Sequence, residues 1–159
     1  MSHSIDIRMK ELGLILPSPS PPAANYTPYT IAGGLVFISG QVPLGTKGIE
    51  WRGKCGAEFT VEQGQQAARL CAFNLLAQLR EACDGDLSRV VRCLRIEGFV
   101  NATPDFKDHP AVINGASDLI ADVFGEKGVH ARFAVGCNSL PFDSTVEISG
   151  IFAILSASA

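Results

Sequence analysis

Arg132 is the residue whose setting most clearly predicts chemistry, because it stands inside the apolar segment ARFAVGC at 131–137. A charged side chain in a strand of this composition needs a binding partner. Side chains alternate across a strand, which puts the small residues Ala134 and Gly136 on the face of Arg132 and leaves room beside the guanidinium. That fork can bind a carboxylate through two hydrogen bonds. The same pattern fits a structural ion pair with a buried acid, so both interpretations stay open.

Other candidate side chains accompany Arg132 in the last third of the chain. Phe133 and Cys137 lie on the opposite face of the same strand. Glu147 lies in the next apolar segment, TVEISGIFAIL, and shares a face with Ser149. Its carboxylate can serve catalysis, or it can pair with Arg132 or with a backbone edge. Asn114, within a predicted helix, either bridges backbone groups or faces a ligand.

Two positions nearer the N-terminus are candidates for the rim of a binding site. Gly40, near the end of FISGQVP, allows a ligand or another backbone to approach closely, although a turn explains it equally well. Tyr26 follows the proline-rich segment PSPSPP and either packs against the fold or covers a pocket.

The chain carries no recognisable motif for a metal or a cofactor. Its five cysteines form no CxxC pair, and its three histidines are isolated, so zinc-ligand spacing is missing. Gly33-Gly34 lacks a GxGxxG context, and no Ser-His-Asp set or phosphate loop is visible. We therefore predict no cofactor, no metal, and cysteines that stay reduced.

Hydrophobic periodicity predicts the order βββ-α-β-α-ββ, an α/β (α+β) mixed sheet with two helices packed on one face. Gly33-Gly34 predicts a hairpin into Leu35–Val42, and a weaker third strand is predicted through Trp51. Thr60 with Gln63 predicts a capped helix up to Gly85, and Pro110 predicts the start of a second helix that Gly125 ends. A strand from Arg89 to Val100 separates the two helices.

The first 25 residues differ from the remainder. Ser4 can cap a short helix whose apolar face holds Ile5, Met9 and Leu12 and which Gly13 ends. Residues 17–22, PSPSPP, must be extended. We interpret 1–25 as a helical arm with a stiff linker and 26–159 as the folded domain; a frayed terminus is the alternative.

Composition sets the broad class of protein. Thirteen basic against sixteen acidic residues give a net charge of −3, which disfavours nucleic acid as a partner. Mean hydropathy is +0.21 with 18% charged residues, so we expect partner subunits to cover some apolar surface. No apolar run is long enough for a membrane helix, so no membrane partner is predicted, and no secretory signal is visible. We therefore expect a cytoplasmic protein.

Three segments together carry a resemblance to a known family. They are NYTPYTIAGGLVFISGQVPL, DLSRVVRCLRIEGFVNATPDF and VINGASDLIADVFGEKGVHARFAVGCNSLPFDSTVEISGIFAI. Over about residues 24–156 the chain resembles the reactive-intermediate deaminase family (Rid/YjgF, older label "endoribonuclease L-PSP"). Its longer N-terminus is similar to the poorly characterised branch with extended chains.

The resemblance implies a chorismate-mutase-like fold, a trimer with a central barrel, and ligand clefts between subunits. It implies that Arg132 grips a substrate carboxylate, with Tyr26, Gly40 and Asn114 lining the cleft. Two positions depart from the family pattern. Ser149 stands where the family has a second glutamate that helps to position water, and a neutral hydroxyl is no carboxylate base near pH 7. The bulky Phe133 replaces a small residue.

Three functional hypotheses are compatible with the sequence. The leading hypothesis is a homotrimer that binds a small carboxylate metabolite through Arg132 and, if catalytic, hydrolyses 2-imino or 2-enamino acids to 2-oxo acids and ammonia. The second is a non-enzymatic binding or regulatory protein with the same cleft, which Ser149 favours. An endoribonuclease ranks lowest because the chain has no basic stripe.

Overall fold

The computed structural model describes residues 3–156, and the predicted arm and domain therefore extend at both ends beyond the described residues. Helix α1 (His3–Glu11) and an extended linker precede the sheet. Strands β1 (Tyr29–Ala32) and β2 (Leu35–Gln41) form the predicted hairpin, whose turn residues Gly33 and Gly34 both have positive φ. Such angles suit glycine because it has no Cβ.

A correction concerns the third predicted strand. The chain forms a small hairpin of β3 (Leu44–Gly45) and β4 (Gly48–Ile49) instead, and Trp51 lies outside any strand. The Trp51 ring packs edge-on against Phe59, with ring centroids 5.5 Å apart. The following segment crosses the end of the main sheet and is held there by single bridges, Arg52 to Ser144 and Cys55 to Ala102.

Helix α2 (Val61–Ala82) begins as its sequence predicts. Thr60 Oγ1 accepts a hydrogen bond from the backbone N–H of Gln63, and the Gln63 side chain accepts one from the backbone N–H of Thr60. This reciprocal pair satisfies two N–H groups that the first helical turn leaves free. The buried side of α2 includes Cys71, Leu75 and Leu79, at steps of four residues.

Three further strands complete the main sheet: β5 (Val90–Asn101), β6 (Ala131–Cys137) and β7 (Val146–Ile154). Helix α3 (His109–Phe124) lies between β5 and β6 in the chain. The five strands are arranged in the order β1-β2-β7-β5-β6, and β6 is an edge strand parallel to β5. The other pairs are antiparallel, so the sheet is mixed. This confirms the predicted fold class.

The core lies between the sheet and helices α2 and α3. Ile96, Ile148 and Phe152 point from the sheet into this layer and are fully buried. Alternate residues of β7 are only half-buried, because they project to the other side. We call that side, which no described helix covers, the open face. Its exposed apolar side chains include Phe37 (42% exposed), Phe99 (37%) and Val135 (41%).

The N-terminal arm packs on the domain. Met9 and Leu14 are buried, Ile5 and Leu12 are half-buried, and all four join the core. Arg8 Nε donates to the backbone oxygen of Asp122 in α3 at 2.9 Å. The extended linker after Gly13 then runs towards the end of β2. None of the described helices is long and apolar enough to cross a bilayer.

Candidate functional site

A cavity of about 840 Å³ lies beside the end of β2. Three of the predicted site residues line it: Tyr26, Gly40 and Glu147. Tyr26 is 49% exposed at the point where the arm meets the domain. The sequence separates these residues widely, and the pairing of β2 with β7 brings Gly40 and Glu147 together. We call this region the cavity.

Glu147 is the acidic group of the cavity. Its carboxylate lies directly over Gly40, and a Cβ at Gly40 would overlap it. Burial raises the pKa of Glu147 because the charged form loses hydration. A carboxyl group with a raised pKa keeps its proton to a higher pH than an exposed one, which favours proton exchange with a ligand.

The arm provides one wall of the cavity, through residues 20–24. Gln78, which is buried in α2, holds this wall by donating from Nε2 to the Ser20 carbonyl oxygen at 2.8 Å. Prolines at 21 and 22 make the wall stiff and mainly apolar.

The opposite wall of the cavity includes Phe142, in the turn Pro141–Asp143. Phe142 and Asp143 have φ values of 60° and 58°, a left-handed conformation that is strained for residues with a Cβ. Arg52 braces this turn, since its Nη1 donates to the Phe142 carbonyl oxygen at 3.0 Å. Strained backbone concentrates at ligand sites, so this turn adds to the case for the cavity.

Arg132 lies at the other edge of the sheet and projects towards α3. Its Nη1 donates to Ser117 Oγ at 3.0 Å and its Nη2 donates to the carbonyl oxygen of Pro110 at 3.1 Å. Among the described residues, no carboxylate lies within ion-pair distance of this guanidinium. The alternative ion pair with Glu147 is therefore not formed within one chain, and the guanidinium keeps N–H groups available for another acceptor.

Asn114 belongs to the same region. Pro110, Asn114 and Ser117 are spaced by four and three residues, so they form one stripe along α3. Arg132 bonds to the first and last of them, which places Asn114 between these two contacts on an exposed part of the helix. We call Arg132 and this stripe the arginine edge. It can present a cation and an amide to one anionic ligand.

Phe133 and Ser149 lie on the open face, joined by a residue that sequence reasoning missed. Glu97 in β5 is opposite Ser149 in β7 and opposite Phe133 in β6. Ser149 Oγ donates to Glu97 Oε2 at 2.9 Å, and Arg95 Nε is 3.2 Å from Glu97 Oε1. The position of Ser149 therefore has a carboxylate beside it. The alternating pattern of RIEGF gave a weak signal for Glu97, but only the strand register pairs it with Ser149.

Cys137 lies at the end of β6 on the open face. Its Sγ is 3.6 Å from the carbonyl oxygen of Val100. Burial raises the pKa of the thiol, and the charge of Lys54 opposes that effect. The thiol is therefore protonated at neutral pH and is a poor nucleophile.

The cavity and the arginine edge lie far apart in one chain. Three strand spacings of about 4.8 Å separate β2 from β6, which is about 14 Å across the sheet. The predicted ligand residues thus divide into two incomplete sets, with Tyr26 and Gly40 on one side and Arg132 and Asn114 on the other. Within the described residues, no three His, Cys, Asp or Glu side chains are grouped closely enough to bind a metal.

Comparisons with known proteins agree with this fold. The sequence matches the family described as "YjgF/chorismate mutase-like, putative endoribonuclease" over residues 6–155. It is similar to Protein TCP17 of Trypanosoma cruzi, at 43% identity over 151 residues, which cover 94% of each chain.

Two solved structures are also similar. Atu1372 of Agrobacterium tumefaciens, a protein of unknown function, is 48% identical, with a TM-score of 0.89 over 96% of this chain and 94% of the other. A "putative endoribonuclease" of Shewanella oneidensis MR-1 is 35% identical, with a TM-score of 0.92 over 96% and 100% of the two chains.

Proposed function

The chain belongs to the YjgF/chorismate mutase-like family, and we propose that it binds a small carboxylate-bearing metabolite in a cleft between two copies of the chain. Arg132 carries this proposal. Its guanidinium is half-buried, is fixed by two hydrogen bonds to α3, and has no carboxylate partner among the described residues. A positioned but unpaired guanidinium matches a carboxylate through two charge-assisted hydrogen bonds.

The division of the predicted ligand residues between two distant regions supports an assembly of several copies of the chain. One copy offers the cavity at the β1–β2 edge and the arginine edge at β6, and neighbouring copies can join the two sets. The open face supplies the contact, because the exposed side chains of Phe37, Phe99 and Val135 give it an apolar surface that water disfavours. We propose a homotrimer in which the sheets face one another.

The reaction that we propose for this cleft is the hydrolysis of 2-imino acids and of 2-enamino acids after their tautomerisation. Water adds to the carbon of the C=N bond, the C–N bond then breaks, and the products are a 2-oxo acid and ammonia. Arg132 holds the carboxylate, and backbone groups near Gly40 or Cys137 face the polar centre that develops. Such imines already react with water, so modest positioning accelerates them.

Two carboxyl groups can handle the water and the protons, one in the cavity and one on the open face. Glu147 has a raised pKa in the cavity, while Glu97 presents a carboxylate next to Ser149. Glu97 can therefore position the attacking water where Ser149 alone cannot. All five cysteines are free, which fits a reducing compartment such as the cytoplasm.

A non-enzymatic ligand-binding protein is the second candidate. The observation that favours it is the hydrogen bond between Ser149 and Glu97, because it occupies one carboxylate oxygen that would otherwise bind water. In this case the cleft binds carboxylates with the same residues but does not accelerate imine hydrolysis. Ribonuclease activity has the least support, since the chain carries a net charge of −3.

The test combines binding with turnover. Imines are generated in situ by an amino-acid oxidase, and the release of ammonia and 2-oxo acid is followed with the native protein, Arg132→Ala and the control Arg80→Ala. Arg80 lies at the exposed end of α2, where its Nε donates to the Gly85 carbonyl oxygen at 3.3 Å. Calorimetry with pyruvate, the 2-oxo acid of the simplest 2-imino acid that has an enamine tautomer, measures binding in parallel.

We expect Arg132→Ala to weaken pyruvate binding by about 10-fold to 100-fold, the equivalent of about 1.5–3 kcal/mol for hydrogen bonds to a charged group. Arg80→Ala should behave like the native protein. Binding without acceleration would favour the non-enzymatic candidate. Equal pyruvate affinity in Arg132→Ala and native protein would refute the carboxylate role of Arg132.

A further inference from the structure

His130, Ser117 and Arg132 form a connected hydrogen-bonded chain beside α3. His130 Nδ1 is 2.6 Å from the Gly128 carbonyl oxygen, which can only accept a hydrogen bond, so Nδ1 carries the ring proton. His130 Nε2 is then an acceptor, and the Ser117 hydroxyl, 2.9 Å away, donates to it. The lone pairs of Ser117 are left for Arg132 Nη1 at 3.0 Å.

The direction of every donor in this chain follows from the ring. Since the Ser117 hydroxyl donates its hydrogen bond to His130 Nε2, its oxygen lone pairs are directed towards the guanidinium as an acceptor. Pro110 holds the other terminal nitrogen of Arg132 through its backbone oxygen. The two acceptors lie seven residues apart on α3, so they fix the plane of the guanidinium against the helix.

We propose that Ser117, oriented by neutral His130, is the positioning residue that aims Arg132 at the carboxylate ligand, and that protonation of His130 weakens carboxylate binding. This inference rests on the proposed function, since it assigns Arg132 to a carboxylate. From the sequence, His130 was counted as an isolated histidine, and Ser117 was not among the candidate residues.

Protonation of the His130 ring reverses the donor and acceptor roles in this series of hydrogen bonds. Nε2 of a protonated ring becomes a donor, so it competes with Arg132 for the Ser117 oxygen and brings a second cation close to the guanidinium. The Ser117 hydrogen must then turn away. Arg132 loses its fixed direction, and a planar fork that is free to swing binds a carboxylate less well.

The surroundings of the ring support this assignment. Burial lowers the pKa of His130 most, the Gly128 hydrogen bond opposes that effect, and the charge of Arg132 lowers the pKa further. Other charged groups stand on the elements packed around the ring: Arg92 on β5, Asp118 and Asp122 on α3, and Glu126 and Lys127 in the turn Gly125–Gly128. None of these five groups shifts the pKa of His130, and Arg132 is the one charged group in the described part of the chain that does.

The test measures pyruvate affinity at about pH 7.5 and about pH 5, on either side of the histidine range. The native protein should bind about 3-fold to 10-fold more weakly at the acidic pH. His130→Gln stays neutral and should lose this dependence. Ser117→Ala should bind weakly at both pH values, whereas Ser117→Thr keeps a hydroxyl and should restore both the affinity and its pH dependence.

His109→Gln is the matched control, because His109 packs edge-on against Phe106 and should leave the pH profile unchanged. Native-like affinity in Ser117→Ala, or the same pH dependence in His130→Gln, would overturn the proposal. Tighter binding at acidic pH would also overturn it, since His130 would then act as a second positive charge.

Nitrogen NMR of the free protein separates this inference from the proposed function. We expect His130 to carry its proton on Nδ1, and Ser117→Ala to change the chemical shift of Nε2. A neutral ring that carries its proton on Nε2 would refute the proposed hydrogen bonds from Ser117 to His130 even if Arg132 binds pyruvate. If the native protein binds no pyruvate at all, the proposed function fails, and the ring tautomer still decides whether these hydrogen bonds exist.

Discussion

The cavity and the arginine edge are built in opposite ways. The cavity is a pocket of about 840 Å³ with apolar and proline-rich walls, and its acid, Glu147, has a raised pKa. The arginine edge is a polar surface on an edge strand, where Arg132 is held by Ser117 and Pro110. The cavity encloses space, and its one lining cation among the described residues, Arg52, donates to the Phe142 carbonyl oxygen. The arginine edge holds Arg132 without enclosing space.

We infer from this difference that neither region is a complete site on its own. An enclosed ligand loses water and gains apolar contact, but a carboxylate needs a compensating cation to be buried. An arginine on an open edge attracts carboxylates but is weakened by competing water. Joining the two regions between copies satisfies both needs, and the following predictions test that joining.

The largest effect should come from separating the copies while leaving both regions intact. Val135→Asp puts a carboxylate on the open face, at an edge-strand position that is 41% exposed in one chain and so tolerates a charge in the monomer. In an interface the same charge is desolvated at a cost of several kcal/mol. We expect light scattering to show a trimer for the native protein and a monomer for the variant, with pyruvate binding lost.

Ile15→Asp is the control for this change, because Ile15 lies in the arm and is 89% exposed. It should remain trimeric. A native protein that scatters as a monomer at micromolar concentration would contradict the assembly, as would a trimeric Val135→Asp variant.

A smaller effect concerns the charge of the cavity. Because burial raises the pKa of Glu147 above 4.5, the folded state holds this proton more tightly than the unfolded state does. The stabilisation of the folded state by this tighter proton binding is fully present below pH 4.5. It is lost as the pH rises through the raised pKa of Glu147. Glu147→Gln stays neutral, so its melting temperature should exceed that of the native protein by about 1–3 °C at neutral pH.

The difference between Glu147→Gln and native protein should shrink at about pH 4, where the native carboxyl is protonated as well. Calorimetry at the two pH values measures this, with the exposed Glu126→Gln as the control. A melting temperature that rises equally at both pH values would show that the gain does not come from ionisation.

The smallest effect concerns the wall that the arm provides. Gln78→Ala removes the hydrogen bond to the Ser20 carbonyl oxygen, which is worth about 0.5–1.5 kcal/mol. We expect faster hydrogen exchange at residues 18–24 and little change in global stability. Gln66→Ala, on the exposed side of α2, should leave the exchange unchanged. Equal exchange in both variants would mean that Gln78 does not hold the wall.

Local patterns predicted most of the fold because they act over a few residues. Thr60 with Gln63 defined the start of α2, Gly33-Gly34 defined the first hairpin, and strand alternation placed Arg132 on the face opposite to Phe133. The strand predicted through Trp51 was wrong, since an aromatic residue in a segment that crosses the sheet end has the composition of a strand.

The surroundings of the site depend on contacts between distant segments. Ser117 reaches Arg132 only because α3 packs beside β6, and Glu97 meets Ser149 only through the register of β5 with β7. The wall at residues 20–24 requires the arm to dock near Gln78. A sequence identifies such residues only after the topology is known, because spacing along the chain carries no signal for them.

A mixing experiment tests the shared cleft most directly. Arg132→Ala disables the arginine edge, and Gly40→Val disables the cavity because its side chain would overlap the Glu147 carboxylate. Neither variant alone should bind pyruvate with native affinity. In randomly mixed trimers, about one quarter of the clefts join an intact cavity from one copy to an intact arginine edge from the next. We predict that co-refolding the two variants restores native affinity at about one quarter of the native capacity. Mixed trimers that bind no pyruvate would contradict a site shared between copies.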